Sequence, residues 1–88
     1  MNVKLSNGFE FSVRENVADD MELLDALVAI DRESDPGALT DAVRIIFGDQ
    51  QKALYESYRD DDGRVPVTKI TEAINEALEL IGDAGKKS

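Results

Sequence analysis

The sequence predicts an α+β domain in which an N-terminal β-hairpin packs on a bundle of about four α-helices. Three observations predict it. Apolar residues alternate with polar ones over the first thirteen positions, on either side of Ser6-Asn7-Gly8. From residue 19 onward the apolar spacing changes to the three-and-four period of a helix. Turn-forming residues separate the periodic stretches at Pro36-Gly37, Gly48 and Gly63. The chain of 88 residues is then a single domain, residues 1–88, with a hairpin over 1–13, a helical part over 19–82 and a flexible tail over 83–88.

The hairpin register follows from its apolar residues, Val3 and Leu5 on one arm and Phe9, Phe11 and Val13 on the other. A two-residue Asn7-Gly8 turn would pair Ser6 with Phe9 and put the two apolar sets on opposite faces. A three-residue loop with Gly8 left-handed pairs Leu5 with Phe9 and Val3 with Phe11. All five side chains then share one face. Two strands alone are marginal in water, so that face must pack on helices.

After a connector at 14–18, Asp19-Asp20 open a first helix, where acids suit the N-terminus. Its wide stripe is Leu23, Leu24, Leu27, Val28 and Ile30, and it ends near Arg32. Glu33-Ser34-Asp35-Pro36-Gly37 is expected as a loop. A second helix from about Ala38 to Phe47 aligns Leu39, Ala42, Val43, Ile46 and Phe47, and Gly48 ends it. Asp49 is placed to cap a third helix over about 50–59, whose stripe is thin: Leu54 and Tyr58, with Ala53 and Tyr55 beside them. Pro66 suits the first turn of a last helix carrying Val67, Ile70, Ile74, Ala77, Leu78 and Ile81, closed by Gly82 and Gly85.

Composition narrows function. Ten Lys and Arg face nineteen Asp and Glu, a net charge of −9. That balance opposes binding to nucleic acid or to an anionic membrane surface, both of which need clustered cations. It suits recognition of a basic or amphipathic protein segment. The chain has no Cys and no His, which excludes a disulfide framework, a Cys nucleophile, a Ser-His pair and an imidazole acid-base. No apolar run reaches membrane-spanning length and Met1-Asn2-Val3-Lys4-Leu5 is no signal peptide, so the expected location is the cytoplasm.

Asp60-Asp61-Asp62-Gly63-Arg64-Val65 looks like the middle of a calcium-binding EF-hand loop, with Gly63 and Val65 at the glycine and apolar positions. The same count puts Tyr58 at the first position and Lys69 at the twelfth, where calcium needs carboxylates. A tight solvated turn is the better expectation. The acid pairs Asp19 with Asp20, Asp31 with Asp35, and Glu72 with Glu76 fall mostly on wet helix faces, not around a scissile bond. Neither a catalytic set, a metal site nor a cofactor loop is expected. Gly82-Asp83-Ala84-Gly85-Lys86-Lys87 lacks the spacing of a phosphate loop. What remains is apolar surface. Ile45, Tyr55, Tyr58 and Leu80 edge their stripes and are the candidate partner-binding residues, although any one of them taken singly is better read as rimming the core. The segment from Glu15 to Asp35, with eight acids and one Arg, gives the first helix a negative outer face able to steer a basic helix.

Taken in order, Val3-Lys4-Leu5-Ser6-Asn7-Gly8-Phe9-Glu10-Phe11, Asp19-Asp20-Met21-Glu22-Leu23-Leu24, the Ile30-Asp31 region, Phe47-Gly48-Asp49-Gln50-Gln51-Lys52-Ala53-Leu54 and Arg59-Asp60-Asp61-Asp62-Gly63-Arg64-Val65-Pro66-Val67 resemble the small tail assembly chaperones of siphophages and prophages of Gram-positive hosts. The resemblance spans nearly the whole chain and rests on order, spacing and length. It implies a non-catalytic protein of the host cytoplasm that binds and solubilises the tape measure protein, assists the major tail protein in tube assembly, and is absent from the mature virion. It carries over no binding residues and leaves a homo-oligomer open. Two other readings fit the residues: an acidic regulator or antitoxin-like protein that masks a basic partner by charge, and a structural head or tail component.

Overall fold

The computed structural model describes residues 1–33 and 35–86. Two antiparallel strands, β1 (Asn2–Lys4) and β2 (Glu10–Ser12), precede α1 (Met21–Glu33), α2 (Pro36–Phe47), α3 (Gln51–Ser57) and α4 (Val67–Lys86). The architecture is α+β. Its helical part holds three full helices, α1, α2 and α4. The expected third helix over 50–59 shrinks to α3, about two turns long. Gln50, its first expected residue, belongs to a 3₁₀ turn, Gly48–Gln50, which also holds Asp49, and no side chain caps α3. Leu54 is its one buried residue, too little apolar surface to hold a longer helix.

The hairpin has the three-residue loop. Val3 pairs with Phe11, the Leu5 amide donates to the Phe9 carbonyl at 2.8 Å, and Gly8 takes φ +96°. Val3, Leu5, Phe11 and Val13 are buried and Phe9 half-buried, so the apolar set does share one face. That face packs on helices of the same chain. Phe11 meets Phe47 of α2 with ring centroids 4.5 Å apart, and Phe9 lies beside both; such tilted pairs add to the stabilisation from burial itself.

Polar bonds fasten the hairpin at three further points. Glu76 of α4 accepts from the Ser6 amide at 2.7 Å and the Ser6 hydroxyl at 3.1 Å. The Gln50 side-chain amide accepts from Ser12 N–H at 3.0 Å and donates to its carbonyl at 2.8 Å. It thereby pairs with the outer edge of β2 as a neighbouring strand would. Asn7 donates to the Ser57 hydroxyl at 3.2 Å. Glu76 is therefore not part of a merely solvated face, as the helical period alone suggested.

Helix ends differ from expectation for local reasons. Asp20 is the cap of α1: its carboxylate accepts from the Glu22 and Leu23 amides, so the helix proper begins at Met21. Asp35 caps α2 by accepting from Gly37 N–H at 2.9 Å, and Pro36 is the first helical residue, where a missing N–H costs nothing. The expected loop is thus partly helix; its Ser34 lies outside the described residues. Gly48 ends α2 at φ +57°. α4 runs through Gly82 to Lys86 and so includes the first part of the predicted tail; Lys87 and Ser88 lie outside the described residues.

The core joins Leu5, Phe11, Val17, Leu23, Val43, Phe47, Leu54 and Ile74 among its most enclosed side chains. Val17, in the connector, belongs to it although no periodicity marks it. Leu24 and Val28, assigned to the first helix's stripe, are instead 51% and 44% exposed, and Val67 is 66% exposed. The molecule is flattened, 42 × 30 × 19 Å. Its accessible surface of 5931 Å² exceeds the roughly 5100 Å² usual for a compact chain of this mass.

Candidate protein-binding groove

α1 packs along α2, and α4 also touches α2, whereas the backbones of α1 and α4 rarely come close and the two helices meet through side chains of the shared core. Two adjacent pockets form a groove: the smaller lies between α1 and α4 beside Leu39 of α2, the larger between the start of α2, Tyr55 of α3 and α4, with Ile30 its one α1 residue. Two cavities make it up, of about 530 and 370 Å³, and both are bounded by Ile30, Leu39 and Thr71. They are therefore neighbours with a common border. One end is formed by Pro36, Tyr55, Val65, Val67 and Ile70, the other by Leu27, Asp31, Ile74, Asn75 and Leu78.

Helical spacing places these residues. Leu27, Ile30 and Asp31 are three and four apart and form the α1 wall; Val67, Thr71, Ile74 and Leu78 form the α4 wall by the same rule. Leu24, Leu27, Val28 and Asp31 continue one line along α1, so exposed Leu24 and Val28 extend the wall outward onto the surface. Met21, 66% exposed, begins the same face. The lining is mostly apolar. Among the described residues its charged members are Asp31 and Asp35, and no Lys or Arg lines either cavity.

Of the four residues singled out from sequence, only Tyr55 lies in the groove, its hydroxyl accepting from Gln51 Nε2 at 2.8 Å. Tyr58 is half-buried toward Glu72 and Glu76. Burial first, then the charges of those two acids, pushes its phenol above the usual tyrosine range. Leu80 sits by Met1–Lys4 at the hairpin. Ile45 packs at the margin of the core. These four do not form one surface. Sequence reasoning passed over Leu27, Ile30, Leu39, Thr71 and Leu78 as groove residues. One signal was available: Thr71 and Asn75, four apart, interrupt the apolar side of α4.

The acidic turn has its own bonding. Asp60 accepts from the Asp62 and Arg64 amides at 3.0 Å each, and Gly63 takes φ +83°. Arg59 spans the turn to the Gly63 carbonyl and pairs with Glu56. The Asp60 carboxylate thus closes a tight turn. Among the described residues no three acids come together as a metal site. No described helix is long and apolar enough to cross a membrane. Comparison with protein-family models, curated proteins and solved structures returns no match.

Proposed function

We propose that this protein is a non-catalytic binding domain and acts as a tail assembly chaperone. It binds the tape measure protein, keeps that long helical chain soluble in the bacterial host, and assists tail-tube assembly without remaining in the virion. The observation that carries the binding half is the open apolar groove between α1 and α4, bordered by acids and by exposed Leu24 and Val28. A tape measure protein offers long amphipathic helices, and a groove of this kind suits such a helix. The tail-assembly half rests on the sequence resemblance.

The net charge of −9 favours a second reading, masking of a basic partner mainly by charge. Salt separates the two: a charge mask loses affinity steeply as ionic strength rises, whereas apolar contacts persist. The test is co-expression with the long, coiled-coil-rich protein encoded just downstream. The chaperone reading expects that protein to become soluble and to co-purify at moderate salt. Precipitation unchanged, with no complex at low or high salt, would refute it. Recovery of this chain from purified particles would instead favour a structural virion component.

A further inference from the structure

The geometry points to one occupant for the groove: a single amphipathic α-helix of a partner protein, with basic residues along the flank that faces α1. This rests on the protein-binding reading above and adds which surface holds the partner and in what chemical form.

A helix suits the walls better than a strand does. An extended peptide binds by pairing its backbone with an open sheet edge. Here the walls are α1 and α4, whose interior backbone groups are already bonded within each helix, and even the Thr71 hydroxyl donates to the Val67 carbonyl at 3.0 Å. Along these two walls the groove can offer side chains only. A helix brings its own backbone bonds satisfied and presents an apolar stripe, which matches Leu27, Ile30, Leu39 and Leu78.

Charge decides the rest. Asp31, on α1, and Asp35, at the cap of α2, are the charged lining residues among those described, while the α4 wall contributes neutral Thr71 and Asn75. The groove is therefore acidic along its α1 side. A second copy of this chain is a poor occupant, because two molecules of net charge −9 repel. A helix with Lys or Arg on one flank satisfies both the apolar floor and the acidic side.

The test uses two synthetic helical peptides with the same leucine stripe, one flanked by Lys and one by Glu, with binding read by fluorescence anisotropy. The Lys-flanked peptide should bind about tenfold more tightly at low salt, with the gap closing at high salt. Asp31→Asn, which leaves packing intact, should weaken the Lys-flanked peptide about threefold. Thr71→Arg, at a half-exposed helical site, should fill the groove and weaken the Lys-flanked peptide about thirtyfold, and the Glu-flanked one less because the added guanidinium attracts it, with circular dichroism confirming the fold. Equal binding of the two peptides, or wild-type binding by Thr71→Arg, overturns the assignment. Rescue of the downstream protein that survives Thr71→Arg overturns the groove but leaves the chaperone reading standing. Tight peptide binding without rescue by the wild type does the reverse.

Discussion

Leu54→Ala tests how the shortest helix is held. Leu54 is fully enclosed and is the one buried residue of α3. Truncating a buried leucine costs about 2–5 kcal/mol, more where the site cannot collapse. α3 is a short segment behind a 3₁₀ turn and can move inward to fill part of the space, so a loss of about 3 kcal/mol is expected. For a domain of this size that lowers Tm by roughly 15 °C and removes a large share of a total stability of about 4–13 kcal/mol. Urea unfolding followed by far-UV circular dichroism measures the global loss. Tyrosine emission adds a local probe, because the chain has two Tyr and no Trp, and Tyr55 and Tyr58 lie on α3 and at its C-terminal cap. In the wild type both probes should give one transition; in the variant the tyrosine transition should come first. A loss below about 1 kcal/mol, with the probes still coincident, would refute the claim that Leu54 anchors α3.

Glu76→Gln leaves one acceptor oxygen where Ser6 uses two, and should cost about 1 kcal/mol given the exposure of the pair; an unmoved Ser6 amide resonance would show the bond to be dispensable. Gly63→Ala should cost about 1 kcal/mol from backbone conformation alone, since no atom beyond the adjoining residues stands within 4 Å of the added Cβ; chemical denaturation checks it. The raised pKa of Tyr58 means the folded state holds that proton longer than the unfolded one. Its contribution is therefore complete below the unfolded value near 10 and is lost as pH rises through the folded value. The fall in urea midpoint above about pH 10 should be shallower in Tyr58→Phe; identical slopes would remove Tyr58 from the alkaline behaviour.

How much was legible in the sequence depended on whether a feature was local. The hairpin register could be derived because the pleat repeats every two residues and only one loop keeps Val3, Leu5, Phe9, Phe11 and Val13 together. The burial of Val43, Phe47, Ile70 and Ile74 followed from helical period in the same way. Pro36 was misplaced because a proline that excludes the helical interior is equally suited to the first helical position. The stripe of α1 was overfilled because its own pattern shows how wide the apolar arc is, not how much of it α2 covers. Leu24 and Val28 lie beyond that contact. The groove was hidden for the same reason: it is a gap between α1 and α4, distant in sequence, and no period in either helix records the spacing between them. Ile45, Tyr58 and Leu80 are edges of the stripes of different helices, and such edges need not meet.

The two walls of the groove are tethered differently, and this bears on what occupancy does to the fold. α4 is tied to the hairpin through Glu76 and touches α2, whereas α1 packs chiefly along α2. A helix seated between them would cover Leu27 and Ile30 on one side and Thr71 and Leu78 on the other, adding a bridge between the two walls. Ligand at one hundred times its Kd stabilises the folded state by about 2.7 kcal/mol whatever the contact. Where protection from hydrogen exchange increases is not fixed by mass action, because segments that open locally report their own contacts. Occupancy should therefore slow exchange more in α1 than in the hairpin, which already has Phe47, Gln50 and Glu76 holding it. Equal slowing throughout would mean that the chain opens only as a whole. Slowing confined to the hairpin would place the partner on β1 and β2 and remove the groove from the mechanism.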